Sequence, residues 1–444
     1  MTIAQSWEEL DSRPIPSWYQ NAKFGIFIHW GPFSVPAWRS ISHEQFGSYA
    51  EWYYASVYGN YRNIDGDYHQ RIWGSDFRYR DFASLLTAQH FNPVQWAELF
   101  KNAGARYVVM TSKHHDGFCM WNTDNPHKTA WNSGDIGAHR DLLGELTTAV
   151  RAAGLKMGIY YSIPEWETHV SHRCDGGYFI PEDDAHQFGV TPDRYVNEVL
   201  HPQWRELNNR YQPSVIYTDG GEWDLDENYV RTRELLTWLY THAPNHADVV
   251  VNDRMHVGMP GTHGDYYSTE YADVAGYGTT HPWEESRGIG KSYGYNQAET
   301  ANDYLSTREL IDLLIRTVGN GGNFLLNVGP TADGRIPDIQ RQRLEEIGQW
   351  MTTHGQAIYD TRPTMDVFSD GIYAVTKTDG NTQSAVTYLL CDSQAPRHIE
   401  LPWPISSAHI TGSSKPLPYD GTFLNLENLP SMPHTVTCHR TERN

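Results

Sequence analysis

The sequence is short of basic residues. Its 444 residues carry 34 Lys and Arg against 54 Asp and Glu, a formal charge of −20 at neutral pH. That balance repels phosphate backbones and anionic lipid, so nucleic acid and membrane are set aside as partners. Long apolar runs are missing too: none approaches the roughly 20 residues of a membrane-spanning helix. The opening MTIAQSWEE has neither a basic n-region nor an apolar stretch. No signal peptide is expected, and the cytoplasm is the expected location. Cysteine is scarce: Cys119, Cys174, Cys391 and Cys438 are scattered, with no CxxC and no zinc spacing. Reduced thiols are expected, with a Cys391–Cys438 bridge as the lesser alternative.

Aromatic residues, by contrast, are plentiful, with 16 Trp and 28 Tyr. A flat ring with a polar edge suits a sugar, although large cores use the same residues. The length exceeds one ordinary domain and suits a barrel of about 250 residues or more with a smaller module.

The patterning supports this division. Strand-like segments at 24–29, 105–112, 156–162, 214–219, 248–252 and 323–328 alternate with helical ones at 93–104, 140–154, 193–210, 227–242, 306–318 and 338–354. Glycine closes the helical segments at Gly104 and Gly154, and a Ser306/Glu309 capping box opens another. Alternation at this spacing predicts a parallel α/β sheet, and its extent predicts a TIM-like (β/α) barrel over residues 1–363. Segments 39–83 and 169–190 are polar, aromatic and dotted with glycine, and are expected to be long loops over the active face. Beyond 363, short strands at 371–378, 384–391, 398–401 and 435–439 predict a small antiparallel β-sandwich over 364–444.

The strand ends carry the chemistry. The run PSVIYTDGGEW ends a buried strand on Asp219 and turns through two glycines to Glu222 and Trp223. Other strands end on His29-Trp30, on His114-His115, on Tyr160 and on Asn252-Asp253-Arg254. Barrels keep their active sites at this end of the strands, and so many polar residues in phase are hard to assign to packing. The histidines raise a metal-dependent hydrolase as an alternative. The first strand, however, offers one histidine rather than His-x-His, HExxH is absent, and adjacent His114 and His115 face opposite sides of a regular strand. No metal and no cofactor are expected. Glycoside hydrolysis with retention needs a nucleophile and a general acid roughly 5–5.5 Å apart. Asp219 fits the first role, and Glu222, Glu270 and Glu284 are the candidates for the second.

These residues resemble the α-L-fucosidases of glycoside hydrolase family 29. The likeness rests on KFGIFIHWGPFSVPAW at 23–38, Glu51-Trp52-Tyr53, YVVMTSKHHDGFCMW at 107–121, GIYYS at 158–162, YQPSVIYTDG at 211–220, VVVNDR at 249–254, SYGYN at 292–296 and GGNFLLNVGPTADG at 321–334. It implies a retaining exo-α-L-fucosidase acting on fucosylated carbohydrates without metal or cofactor. The alternative within this likeness is a catalytically weak fucose-binding protein on the same scaffold. The resemblance implies Asp219 as nucleophile, Glu270 as acid/base with Glu284 as second choice, and a fucose pocket of His29, Glu51, Trp52, His114, His115 and Tyr160, with Arg254 alongside. Trp30, Trp52 and Tyr217 are expected to wall the C6 methyl. Many members have Trp where this chain has Tyr217. Members often assemble, so a homo-oligomer stays open.

Overall fold

Alternate burial on two sides shapes the first strand. Ile26, Ile28 and Trp30 pack outward into a large core shared with the helices, whereas Phe27 turns inward to a smaller core rich in tyrosine. Both faces of the strand are covered, which is why it reads as an unbroken apolar run. The computed structural model describes residues 4–441 except 43–46, 59–64, 169–179, 273–279, 365, 367–369, 379–384, 428 and 430–432.

Among the described residues the first sheet has eight strands: β1 (Phe24–Ile28), β2 (Tyr107–Lys113), β3 (Lys156–Ser162), β4 (Val215–Asp219), β5 (Val250–Val251), β6 (Tyr267–Glu270), β7 (Trp283–Gly288) and β8 (Asn323–Val328). Their order is β5-β4-β3-β2-β1-β8-β7-β6 and their pairings are parallel. A parallel bridge from Asn252 to Tyr266 joins the two ends. Side chains reinforce this seam: the Val251 amide donates to Asp265 Oδ2 at 2.9 Å and the Ser268 amide to Asp253 Oδ1 at 3.0 Å. The result is the expected TIM-like barrel.

Helices cover the outside. Pro93–Asn102 starts on Asn92, whose side chain accepts from the Gln95 amide, and Leu142–Ala152 starts on Asp141, which accepts from Gly144. The Ser306/Glu309 capping box is present at the head of Thr307–Gly319. The expected helix at 227–242 is divided by Arg231, which sits in the left-handed region with φ 56°.

Two expectations need correction. Segment 39–83 is not a loop throughout: it holds helices Tyr53–Tyr58 and Gly66–Ile72 and a 3₁₀ run Tyr79–Leu85. Residues 53–57 are all buried, so no amphipathic period marks them. Likewise Glu182–Phe188 is helical, while 169–179 lies outside the described residues. The sequence does not announce β6, which has only four residues, or β7, which two acids interrupt.

The tail forms two antiparallel sheets. One runs β13 (Ile405–Ile410), β16 (His434–Arg440), β11 (Ala385–Cys391), β10 (Ile372–Thr378) and β9 (Arg362–Pro363). The other runs β12 (His398–Glu400), β15 (Phe423–Asn425) and β14 (Tyr419–Asp420). Leu389 and Val436 of the first share a core with Ile399 and Leu424 of the second. Arg316 pairs with Asp392 at 2.8 Å and Asp312 accepts from Ser393, which fastens this unit to helix Thr307–Gly319. Cys119, Cys391 and Cys438 are buried and free, and Cys174 lies outside the described residues. No helix among the described residues is long and apolar enough to cross a membrane.

Candidate active site

The carboxyl ends of the strands open into a cavity of about 220 Å³. Asp219 ends β4 inside it, its side chain 16% exposed. The following residue has to be glycine, since a Cβ at Gly220 would come within 2.9 Å of the Met255 carbonyl. Asp219 Oδ2 accepts from the Tyr160 hydroxyl at 2.8 Å and lies 3.4 Å from His115 Nε2. Burial favours the protonated acid, but His115, Arg254, Tyr160 and His29 together outweigh it and hold Asp219 below the usual carboxylate range.

The two adjacent histidines both reach the cavity. The pairing of β2 with β3 shifts register between Thr111 and Lys113, and β2 stops at Lys113, so neither histidine belongs to a regular strand. Gly117, at φ 74°, then turns the chain; a Cβ there would meet Lys128 Nζ at 2.9 Å. His115 Nδ1 lies 2.6 Å from Ser162 Oγ, which itself donates to the Pro164 carbonyl. Nδ1 therefore carries the proton. His29 is fixed in the same way by Asn327 Oδ1 at 2.8 Å, because the Asn327 amide nitrogen is committed to the Tyr293 carbonyl. Burial lowers His29 to about 3, His115 to about 4 and His114 well below the ordinary value. The site thus presents three neutral imidazoles at pH 7.

Behind the histidine turn lies a buried ionic cluster. Lys113 Nζ donates to Glu165 Oε1 at 2.7 Å and Lys128 Nζ to Glu165 Oε2 at 2.6 Å. Trp166, the next residue, donates its amide to the His115 carbonyl at 2.8 Å and packs its ring on His115.

Glu270 ends β6 on the other side of the cavity. Arg254 pairs with Glu270 through Nη1 and with Glu222 through Nη2. The Tyr217 hydroxyl donates to Glu270 Oε1 at 3.2 Å and accepts from Arg254 at 3.2 Å. Burial raises Glu270 to about 7, with Arg254 opposing and Asp219 and Glu222 adding to the rise. Glu51, also raised to about 7 by burial, accepts from the Gly294 amide at 2.8 Å and from Ser292 Oγ at 3.1 Å. Trp52 stacks towards Trp223 and meets His115 edge-on.

Of the residues expected in the site, His29, Glu51, Trp52, His114, His115, Tyr160, Tyr217, Asp219, Arg254 and Glu270 line the cavity. Trp30 does not. Strand alternation turns it outward, where it packs on Phe91 and Trp96 and donates Nε1 to the Thr331 carbonyl. Glu284 does not line it either. It lies opposite Ser268, lower in the barrel, and accepts from Tyr19 at 3.0 Å and Tyr107 at 2.5 Å. Sequence reasoning missed Tyr49, Trp223 and Tyr293 as lining residues. Tyr293 lies in the SYGYN segment, and Trp223 follows the strand acid by four positions. Among the described residues no three His, Cys, Asp or Glu side chains are grouped as a metal ion requires.

One carboxyl group held below the usual range and a second raised to about 7 face one small cavity, the kind of split that acid/base chemistry at neutral pH uses. The α-L-fucosidase family model matches residues 2–356. The chain belongs to the α-L-fucosidase family. It is therefore a glycoside hydrolase by descent. It is 41% identical to an α-L-fucosidase of Branchiostoma floridae over 382 residues, 85% of this chain and 80% of that one. It is 36% identical to human tissue α-L-fucosidase over 432 residues, 96% and 88% of the two chains. The fold matches the Thermotoga maritima α-fucosidase bound to a mechanism-based inhibitor with a TM-score of 0.80 at 34% identity, covering 98% of this chain and 99% of that one. The same enzyme in complex with fucose gives a TM-score of 0.79.

Proposed function

We propose that this protein is a retaining exo-α-L-fucosidase in which Asp219 is the nucleophile and Glu270 the acid/base. The observation that carries the reading is two carboxyl groups facing one cavity of about 220 Å³, Asp219 held below the usual carboxylate range and Glu270 raised to about 7. That volume is below the roughly 300–1,000 Å³ of drug-sized sites and suits one terminal sugar ring.

In the first step Asp219 attacks C1 of the fucosyl unit as the bond to the leaving oxygen breaks, and Glu270 gives that oxygen its proton. Charge at C1 in the oxocarbenium-like transition state is compensated by Asp219. In the second step ionised Glu270 takes a proton from water, the water oxygen bonds to C1, and Asp219 leaves. Two inversions give retention. The neutral imidazoles of His29, His114 and His115 and the buried Glu51 are placed to exchange hydrogen bonds with ring hydroxyls, while Trp52 and Tyr217 offer apolar faces. Fucose release from an aryl fucoside, with the first-formed anomer followed by NMR, tests this: appearance of the β-anomer first would overturn it. The free thiols of Cys119, Cys391 and Cys438 support a reducing compartment such as the cytoplasm.

A further inference from the structure

Arg254 is a buried residue with divided partners. Its side chain is 6% exposed; its partner Glu270 is 20% exposed, and its other partner Glu222 is 71% exposed. Glu222 stands in the turn after β4, between the glycine pair and Trp223, at the rim of the cavity. A carboxylate so placed gains little from an ordinary surface ion pair. Here it reaches a guanidinium that the rest of the protein has removed from water.

The consequence follows from the charges. One arginine faces three carboxyl groups: Asp219, Glu270 and Glu222. With Asp219 and Glu270 alone, the guanidinium would be free to settle on Glu270 and keep it ionised, leaving no proton for the leaving oxygen. A second carboxylate on Nη2 competes for the same charge. We propose that Glu222 is a positioning residue that occupies one side of Arg254 and thereby leaves Glu270 with the proton it transfers. This rests on the reading of Glu270 as acid/base.

The other groups around Glu270 do not substitute for Glu222. Tyr217 donates to Glu270 and holds it, and Tyr49, Tyr160 and Tyr293 are neutral. Glu51 and Glu285 are buried acids raised to about 7 and carry only part of a charge at neutral pH. Asp219 is committed to the nucleophile's role. Glu222 is the carboxylate beside Arg254 that lies mostly in water, so replacing it leaves the barrel core untouched.

The test is the pH dependence of kcat/KM for the wild type, E222Q, E222D and E270Q on two substrates, phenyl fucoside and dinitrophenyl fucoside. In E222Q the basic limb for the phenyl substrate should move to lower pH by about half a unit or more, because Glu270 loses one of the charges that raise it and no longer shares Arg254. At a pH above the limb that is a loss of about threefold. E222D keeps the charge and should recover part of the shift, which a merely structural role would not produce. A basic limb in E222Q at the wild-type position overturns the proposal. E270Q separates the two readings. If it keeps the wild-type rate on phenyl fucoside, the acid/base assignment fails and the proposal falls with it. If it loses that rate while E222Q is unshifted, the role of Glu222 alone is wrong.

Discussion

Glu270 and Glu284 occupy neighbouring strands, but Glu270 ends β6 at the cavity whereas Glu284 faces Ser268, two positions lower, among tyrosine hydroxyls. Burial raises both to about 7. The same perturbation therefore falls on a cavity-facing acid in one place and a packed interior acid in the other, and geometry separates them.

Substitution of the two acids should give different signatures. Glu270→Gln should slow phenyl fucoside far more than dinitrophenyl fucoside, since only the poor leaving group needs the proton. Glu284→Gln should show no such split. Steady-state rates on the two substrates decide it.

Asp219→Ala should lower kcat roughly 10³-fold or more, as loss of a nucleophile does. Azide, a small anion able to enter the space vacated, should restore turnover on an activated fucoside and give β-L-fucosyl azide. Product of α configuration would assign attack to another group.

Tyr160→Phe removes the 2.8 Å hydrogen bond to Asp219. Burial is the largest influence on Asp219 and works against its charge, so losing one of the groups that oppose burial raises its pKa. The acidic limb of kcat/KM should move to higher pH, with a rate loss of about 10- to 100-fold, as for a hydrogen bond to a charged group. An acidic limb that stays in place would show that Tyr160 does not sustain the ionised nucleophile.

Much of this arrangement was legible in the sequence. His29, Tyr160 and Asp219 sit on or just after strands buried on both faces, and such strands read as uninterrupted apolar runs. Trp30 was misplaced although the information was present: with Phe27 and His29 facing in, alternation sends the next residue out. Other features had only a weak local signal. Trp223 and Tyr293 come from connecting segments whose course depends on distant contacts. Strand β7 hides because a barrel interior lined with tyrosine tolerates an acid such as Glu284, which breaks the strand pattern, and β6 hides because it is only four residues long.

Glu284 also makes a prediction about stability. Its folded pKa of about 7 lies above the ordinary 4.5. The folded state then favours the proton, so its contribution is complete below about pH 4.5 and is lost as pH rises through 7. In Glu284→Gln the fall in unfolding free energy between pH 5 and 8 should be smaller than in the wild type. Glu51, Glu285 and Glu299 shift in the same direction, so the slope should be reduced, not abolished. Denaturant unfolding at several pH values measures it.

Glu165 should be the costlier acid to remove. Glu165→Ala leaves Lys113 and Lys128 buried without their shared partner. Breaking a buried ion pair in this way costs about 3–5 kcal/mol. Loss of stability in denaturant unfolding, with weakened fucose binding through the displaced His115 turn, is the expected result.

The seam of the barrel bears on how the site can adjust. Val251 and Ser268 hand their amides across it to the side chains of Asp265 and Asp253. Arg254 and Glu270 stand immediately beyond, one on each lip. Asp219 is mounted in a similar way: Ser162 of β3 pairs with it in register on one side, while on the other the β5 pairing stops at Ile216 and the Asn252 side chain accepts from the Thr218 amide at 2.8 Å. Glu270 likewise pairs in register with Ser286 of β7, so the two acids stand on equally braced strand ends and the gap between them is set by the closed ring of strands.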